Sequence, residues 1–454
     1  MNKSIRNAGQ RCQRLSQSFP KDNLVAGLLL LLFIFSCSPR SENSLKLLRS
    51  ANAYSEKGKV VITAFKSMHY WGEEHRDLYR EIRIYRLSCP DFVFGKDYEE
   101  YFSDLNFKDG ECIFQGPLEP ILGRKYRFVD EATETGAVYA YWIAASAGKP
   151  TGPLPVKIRD EQVWWPYHRV MERLEELQNQ YPRLVKVEEI GKSVNRRPLL
   201  AVRIGHEKKA VALIGAIHAG ESGPELIIPV VQKLLGQNSD LFRRISLVVI
   251  PSVNCDRRDK LAAGNPWYLR RNANNVDLNR NFPADWDHVD QTYGYMTSDP
   301  DAQTFRGPYA ASEPETIAVM DYLRKNKPVA VFSFHCLASI AGETLGISKT
   351  GAENQEYVNR CSTFADLYWQ GVASPFAEKQ KIVPLCTSGS LPEWCYRELG
   401  IPAFDMEAPF DANDLAQCAI DATDRELLAK YQDIHYRGFV ELLTRTPDEV
   451  SNPQ

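Results

Sequence analysis

Three residues in this chain have the types and spacing to bind one metal ion together. His218 and Glu221 stand three positions apart, and His218 directly follows the apolar run Ala210–Ile217. His335 follows a second apolar run, Val329–Phe334, so a sheet would bring both histidines to one edge. Two imidazole nitrogens and a carboxylate oxygen suit a catalytic zinc ion, which keeps one position for water. The pattern predicts one Zn²⁺ per chain at His218, Glu221 and His335.

Each of these residues also has an ordinary interpretation. His-x-x-Glu alone fits a glutamate at a helix start beside an incidental histidine, and His335 alone fits a hydrogen-bonded core histidine. A further acid favours the zinc site, because Glu407 ends the short strand-like run Ala403–Met406. A buried carboxylate without a partner is costly, so we expect a cationic or catalytic partner there.

The elements that must position these residues begin near Glu161. From there to about residue 445, apolar runs typical of buried strands alternate with helical patterns such as Val163–Gln180. A helix is expected to start at Ser312, with Glu315 three residues later forming a capping box. We therefore expect an α/β domain over residues 161–445, with a mostly parallel mixed sheet covered by helices. Such sheets bind ligands at the carboxyl ends of their strands.

The preceding segment has a different pattern. From Lys59 to about Asp160, short runs of strand-forming residues alternate with polar breaks, which predicts an all-β sandwich over residues 45–160. Val138-Tyr-Ala-Tyr-Trp-Ile-Ala-Ala, followed by Gly148-Lys-Pro-Thr-Gly-Pro-Leu-Pro, resembles the last two strands of a fibronectin type III domain. A family-specific pro-segment is the alternative.

The motifs after residue 161 together resemble the zinc carboxypeptidase family of pancreatic carboxypeptidase A. Several stretches stand in the order of that family: Ile190-Gly-Lys-Ser-Val-Asn-Arg-Arg-Pro-Leu, His218-Ala-Gly-Glu, Asp277-Leu-Asn-Arg-Asn-Phe, Arg306-Gly-Pro-Tyr-Ala-Ala-Ser-Glu-Pro-Glu and Ser333-Phe-His. The resemblance implies the carboxypeptidase fold, a single zinc ion and hydrolysis of peptides from their C-terminal end.

It also implies a role for individual residues. Glu407 matches the general base that takes a proton from water and passes it to the departing amine. Asp277 matches the carboxylate that orients the first zinc histidine, with a turn cap as the alternative. Arg270 matches the arginine that stabilises the oxyanion, and Arg271 competes for that assignment.

Recognition of the substrate would fall to a second group. Asn279 and Arg280 match the pair that holds the substrate's terminal carboxylate, for which a guanidinium fork is suited. Asp405 lies two residues before Glu407, so both should face the pocket for the terminal side chain, where an acid would favour a basic residue. Apolar Leu391 would instead suit a hydrophobic residue, and pairing of Asp405 with a neighbouring arginine is the other interpretation.

One departure from the family concerns the lid over the substrate. The family places a tyrosine several residues before Gly389-Ser390, whereas residues 381–388 read Lys-Ile-Val-Pro-Leu-Cys-Thr-Ser. Tyr396 matches a different, structural position. The resemblance therefore covers the zinc chemistry and does not cover the hydrogen bond of the lid.

The start of the chain resembles an export signal. Basic residues precede the apolar run Leu24–Phe35, which is too short to cross a hydrocarbon core about 30 Å thick. Ile34-Phe-Ser-Cys resembles a bacterial lipobox, although Phe35 is not the usual small residue. We expect a signal peptide over residues 1–37, lipid attachment at Cys37 and a periplasmic or cell-surface location. Ordinary cleavage and a membrane helix are the alternatives. Export permits disulfides, such as one joining Cys89 to Cys112.

Composition limits the partners. Fifty-five basic and 58 acidic residues leave a net charge of −3, which provides no basic field for nucleic acid. The predicted partner is a peptide with a free C-terminal carboxylate, and contact with a membrane is expected only through Cys37. The predicted activity is that of a zinc-dependent carboxypeptidase. A zinc amidohydrolase, deacylase or peptidoglycan-peptide amidase on the same fold is the alternative, and an inactive binding protein is less favoured. Because every matched motif follows residue 161, we expect the β-sandwich to be a spacer or an interaction module.

Overall fold

The computed structural model of this chain describes residues 45–92, 98–146, 148–267, 269–291, 297–335, 344–372, 382–407 and 425–449. The predicted signal peptide and Cys37 lie outside these ranges and stay predictions. Within them, no helix combines the length and apolar character needed to cross a bilayer.

The N-terminal part is a sandwich of two antiparallel sheets. One sheet has the strand order β1-β2-β5 and the other the order β4-β3-β6-β7. The strands are β1 (Leu48–Glu56), β2 (Lys59–Lys66), β3 (Ile82–Ser88), β4 (Glu111–Gly116), β5 (Lys125–Asp130), β6 (Val138–Ala145) and β7 (Thr151–Lys157).

Apolar side chains from both sheets fill one core. Val60 and Tyr126 come from one sheet, and Ile84 and Tyr141 come from the other. The predicted sandwich is thereby confirmed, whereas its likeness to fibronectin type III stays a prediction. Strand β1 has no counterpart among the predicted strands, because its polar residues hide the alternation.

The second part is built on one eight-stranded sheet with the order β14-β13-β15-β12-β10-β11-β9-β8. Its strands are β8 (Val185–Lys192), β9 (Pro198–Ile204), β10 (Ala210–Gly215), β11 (Ser246–Ile250), β12 (Ala330–His335), β13 (Thr344–Ser348), β14 (Ile382–Cys386) and β15 (Ala403–Glu407).

This sheet is mixed, as predicted. Strands β11, β10, β12 and β15 run parallel to one another, and β9, β8 and the β13–β15 pairing add antiparallel contacts. In the register of β12 against β15, Ser333 lies beside Asp405 and His335 beside Glu407. The parallel strands therefore end together at one edge, which is where the predicted metal ligands lie.

Helices cover both faces of the sheet. Val211 and Leu213 of β10 pack toward α2, α3, α6 and α8, whereas Ala212 and Ile214 pack toward α5 and α7. The helices of this part are α2 (Tyr167–Gln180), α3 (Pro224–Gln237), α4 (Cys255–Ala262), α5 (Pro314–Asn326), α6 (Gln355–Val372), α7 (Leu391–Trp394) and α8 (Arg425–Glu449), whereas α1 (Tyr98–Ser103) packs on the β-sandwich. The predicted α/β class is confirmed.

The predicted capping box at Ser312 is wrong. Helix α5 has Glu313 at its N-cap, with no side-chain cap bond. The Glu315 carboxylate instead accepts the Val194 N–H at 3.0 Å and the Asn272 amide at 3.2 Å. Donors that are distant in sequence therefore bind the Glu315 carboxylate, which the local pattern assigned to a cap at the start of the helix.

The suggested disulfide between Cys89 and Cys112 is not formed. Each is a free thiol, with Cys89 Sγ 3.7 Å from the Leu87 carbonyl and Cys112 Sγ 3.4 Å from the Phe114 carbonyl. Burial raises the pKa of Cys89 to about 11, which keeps it protonated.

One fully buried ion pair joins α3, α4 and the loop after β10. The guanidinium of Arg258 contacts the Glu225 carboxylate, and both side chains are 0% exposed. Arg258 also donates to the carbonyls of Ala219 and Glu221 at 2.8 Å each and to that of Trp165 at 3.1 Å. A single cation therefore supports the backbone of the loop that carries His218 and Glu221.

Replacing Arg258 by Met should lower the free energy of unfolding by about 3 kcal/mol or more, because it leaves the Glu225 carboxylate buried without its cation. Arg244→Met is the matched control, since Arg244 pairs with Asp448 at the surface, where such pairs contribute less than about 1 kcal/mol. Urea unfolding measures both values. Equal values for the two variants would contradict this account of the buried pair.

Candidate active site

The loop after β10 positions His218 and Glu221 through close backbone packing. A Cβ at Gly215 would lie 2.5 Å from the Pro251 carbonyl oxygen, and one at Gly223 would lie 2.5 Å from the Ala216 nitrogen. Glycine at both positions lets the chain leave the strand, turn and enter α3 within eight residues. The turn brings Glu221 back toward His218, and its N–H donates to the His218 carbonyl at 3.2 Å.

His218, Glu221 and His335 meet at one buried point. His218 Nδ1 lies 2.9 Å from Glu221 Oε1, and His335 Nδ1 lies 2.9 Å from Glu221 Oε2. One ligand atom from each residue lies within 4.8 Å of the others. The three side chains are at most 2% exposed. Two nitrogens and a carboxylate that converge in this way fit a zinc ion, so the structure brings the predicted ligands together.

The other nitrogen of each imidazole faces a polar partner. His218 Nε2 lies 3.0 Å from Asp277 Oδ1, as expected from the sequence. His335 Nε2 lies 3.0 Å from Ser333 Oγ and 3.3 Å from Asp405 Oδ1. An N–H fixed toward these oxygens leaves each Nδ1 lone pair directed at the common point, as metal binding requires.

The charges of this cluster depend on one another. Burial raises the pKa of the Glu221 carboxyl, but the two imidazoles outweigh burial and hold that pKa well below its usual range. Burial likewise opposes ionisation of Asp277, whereas Arg270 and then His218 lower its pKa further than burial raises it. For His335, burial lowers the pKa, and the carboxylates of Asp405 and Glu221 raise it well above the ordinary value. The anionic carboxylates therefore favour a cation at the common point.

The two candidate arginines point in different directions. Arg270 Nε donates to Asp277 Oδ2 at 2.7 Å, one carboxylate away from His218. Arg271 Nη1 donates to the carbonyls of Pro300 and Ala302, at 2.8 and 3.0 Å. Of the two, Arg270 contacts a neighbour of the predicted metal ligands, so the geometry favours Arg270 over Arg271 for a role near the reacting atoms.

Asn279, Arg280 and Asp405 form one buried set. Asn279 Nδ2 donates to Asp405 Oδ2 at 2.9 Å, and Asn279 Oδ1 accepts the Leu391 N–H at 2.9 Å. Arg280 Nη1 donates to the Asn279 carbonyl at 2.8 Å, and the residue is 7% exposed. Asp405 is 4% exposed and directs its oxygens at His335, Asn279 and the Cys386 thiol. Its predicted contact with a substrate side chain stays a prediction.

Glu407 ends β15 beside His335 in the register of the sheet. The side chain of Glu407 lies outside the described part, so its role as the general base stays a prediction. The position of its backbone beside His335 is consistent with that role. Tyr396 packs against the ring of Tyr357 with centroids 4.6 Å apart, and this contact fits a structural residue.

Sequence reasoning overlooked two contacts of the site. Ser333 and the approach of Asp405 to His335 were not predicted, although Ser333 and His335 alternate on β12 as Asp405 and Glu407 do on β15. Because side chains alternate along a strand, this spacing of two residues on each strand indicates that all four side chains face the same side of the sheet. It could be used only with the register of the two strands, which the sequence does not specify.

Known proteins resemble the second part of this chain. The zinc carboxypeptidase family model matches residues 170–430, more than half of the chain. Mast cell carboxypeptidase A of Rattus norvegicus is 26% identical over 265 residues, which are 52% of this chain and 61% of that protein. Carboxypeptidase D of Drosophila melanogaster is 30% identical over 199 residues, 39% of this chain and 13% of that protein. The chain therefore spans less than two thirds of each relative.

Solved structures support the fold. Bovine thrombin-activatable fibrinolysis inhibitor, in complex with tick carboxypeptidase inhibitor, matches with 19% identity and a TM-score of 0.51, over 63% of this chain and 97% of that one. Carboxypeptidase A from Helicoverpa armigera matches with 20% identity and a TM-score of 0.50, over 63% and 74%. With the family match and the eight-stranded sheet, these likenesses lead to one conclusion: the chain belongs to the zinc carboxypeptidase family, a family of hydrolases.

Proposed function

We propose that this protein is a zinc-dependent carboxypeptidase that hydrolyses the last peptide bond of peptides. The observation that supports this most directly is the buried Glu221 carboxylate, which lies 2.9 Å from the Nδ1 atoms of both His218 and His335. A separate carboxylate faces the far nitrogen of each histidine. Such a set serves metal chemistry far better than it serves packing, because buried charge is costly unless it is compensated.

The chain's own residues would divide the reaction among them. Zinc held by His218, Glu221 and His335 would supply an activated water and a polarised scissile carbonyl. Glu407 would take the proton of the attacking water and return it to the departing amine. Arg270 would place its cation beside the oxygen that becomes negative during attack, and Asp277 would hold that guanidinium in place.

Cleavage at the end of a peptide requires recognition of its terminal carboxylate. We assign this to Arg280, whose guanidinium can donate two parallel bonds, and to the second N–H of the Asn279 amide. Both residues lie within three positions of Asp277, in the short 3₁₀ turn Leu278–Arg280. The carboxylate that faces His218 and the two residues proposed to hold the terminal carboxylate would therefore lie on one short segment.

The expected substrates are peptides outside the cytoplasm, including peptides derived from peptidoglycan. This inference rests on the leader pattern and on Cys37, and it would make the enzyme a membrane-anchored one. An amidase acting on the same class of peptide is the alternative, and the form of the substrate's C-terminus distinguishes the two.

Glu407→Gln should retain one zinc per chain and lose about 10²–10⁴-fold in turnover, because the variant keeps the ligands and removes the base. His335→Ala is the contrasting variant, and it should lose the metal itself. Zinc analysis after dialysis, together with kcat, measures both. Near-normal turnover in Glu407→Gln, or stoichiometric zinc in His335→Ala, would contradict the assigned roles.

Arg280→Lys should lower kcat/KM for a peptide with a free C-terminus by about tenfold or more, because an ammonium cannot form the two parallel bonds of the guanidinium. Arg271→Lys is the matched control and should change kcat/KM little. Mass spectrometry of the products should show loss of single C-terminal residues from this peptide and far less from its C-terminal amide. Equal cleavage of both peptides would favour the amidase instead.

Asp405→Asn should weaken zinc affinity and activity by about 10–100-fold, and alike for peptides ending in Lys or Arg and in Leu or Phe, because its carboxylate contacts His335 and Asn279. Asp277→Asn, which alters the partner of the other histidine, provides the comparison. Competition between the peptides and a zinc-chelator titration measure the two effects. A selective loss on peptides ending in Lys or Arg, with zinc affinity unchanged, would instead place Asp405 in the substrate pocket.

A further inference from the structure

The β-sandwich contacts the C-terminal end of α4 and the residues that follow it, defined here as the docking segment, residues 261–267. The Ser55 N–H donates to the Ala263 carbonyl at 2.8 Å, and the Lys157 N–H donates to the Gly264 carbonyl at 2.7 Å. Arg159 Nη1 adds bonds to the Leu261 and Asn265 carbonyls, at 2.8 and 2.6 Å. Four carbonyls of one short segment therefore accept hydrogen bonds from the β-sandwich.

Gly264 allows this close approach. Its φ of +93° lies in the region that favours glycine, and a Cβ there would lie 2.6 Å from Val156 Cγ2 and 2.7 Å from the Lys157 carbonyl oxygen. Two residues of β7 therefore occupy the space that any other side chain would need. Contact of this kind fixes a position, whereas domains joined by a spacer meet across few contacts.

An aromatic contact extends the same junction. The rings of Phe102 and Trp267 lie with centroids 5.6 Å apart. Trp267 packs on a small cluster of the β-sandwich that also contains Val138 and Trp142. The C-terminal end of the docking segment is therefore held by apolar packing as well as by the backbone bonds before it.

The chain that leaves the docking segment reaches the candidate active site at once. The Leu269 carbonyl accepts the N–H of Gly220, which lies between His218 and Glu221, at 2.8 Å. The Arg270 carbonyl accepts Asn254 Nδ2 at 3.3 Å, and Arg270 Nε donates to Asp277. Arg270 is only three positions beyond Trp267, so the docking segment and the catalytic arginine belong to one short stretch.

We propose that the β-sandwich is a positioning element of the active site, which holds the docking segment so that Arg270 is preorganised beside Asp277. This goes beyond a role as spacer, and it rests on the role proposed above for Arg270. Residues 261–265 are bound by Ser55, Lys157 and Arg159, and residues 269–270 are bound by Gly220 and Asn254. The described residues on both sides of position 268 therefore retain little conformational freedom. A cation stabilises a developing negative charge most when it needs no reorganisation at that moment, and small displacements of catalytic groups are costly.

The test uses the full chain with Phe102→Leu and, as the matched control, Phe128→Leu. Phe128 packs on Phe114 within the same β-sandwich and away from Trp267. Arg159→Met is the second junction variant, and it removes the bonds to Leu261 and Asn265. Each junction variant should lower kcat by about tenfold with KM and bound zinc unchanged, and the control should not. In an Arg270→Ala background the junction variants should cause no further loss.

Hydrogen exchange provides a readout that does not depend on activity. In both junction variants the amides of residues 261–265, 267 and 269–272, and that of Gly220, should exchange faster, whereas Phe128→Leu should leave them unchanged. Unchanged exchange in both junction variants would overturn the proposal, as would a loss of kcat that persists undiminished in the Arg270→Ala background. If the wild-type protein cleaved no C-terminal residue, the proposed activity would fail, and exchange alone would then decide whether the β-sandwich holds this segment.

Discussion

The buried carboxylate of Glu221 is the constraint on which the rest of the site depends. At 0% exposure it has lost its hydration, and only positive or hydrogen-bonding groups that touch it can offset that cost. The imidazoles of His218 and His335 do so on either side, and each in turn requires an acceptor at its far nitrogen. Oxygens of Asp277, Ser333 and Asp405 meet that requirement. The single desolvated charge of Glu221 thus requires polar side chains at two levels, first the two histidines and then the groups that face their far nitrogens.

The sheet makes this arrangement possible because its central strands are parallel and end together. Strands β10, β12 and β15 keep an unbroken register up to the edge of the sheet. Residues two positions apart on one strand, and their register partners on the neighbouring strand, therefore face the same side of the sheet. Apolar residues of β10 alternate toward helices on both faces, which leaves the strand ends as the place where polar groups can converge. The fold therefore places polar groups at the carboxyl ends of the strands, beside a sheet whose interior is apolar, as in other open α/β sheets.

Much of this could be predicted from residue order alone. The candidate metal ligands His218 and His335 follow long apolar runs, and such runs identify buried strands with little ambiguity, so both histidines could be assigned to one edge. The partners of Asp405 could not, because they depend on the register of β12 against β15. Arg258 was also beyond reach, since nothing local marks an arginine in a short helix as a buried ion-pair partner. The error at Ser312 has a similar origin, because Val194 and Asn272, which are distant in sequence, bind the Glu315 carboxylate that the local pattern assigned to a helix cap.

The glycine at position 264 has a consequence for the evolution of this chain. Any larger residue there would meet Val156 and the Lys157 backbone, so the two parts of the chain cannot drift apart in sequence independently at this point. Recombination near residue 160 would join a sandwich and a catalytic half whose surfaces had not changed together. The two parts would then be inherited as a pair, and a foreign N-terminal domain could replace the native one only if its surface also packed directly against the Gly264 backbone.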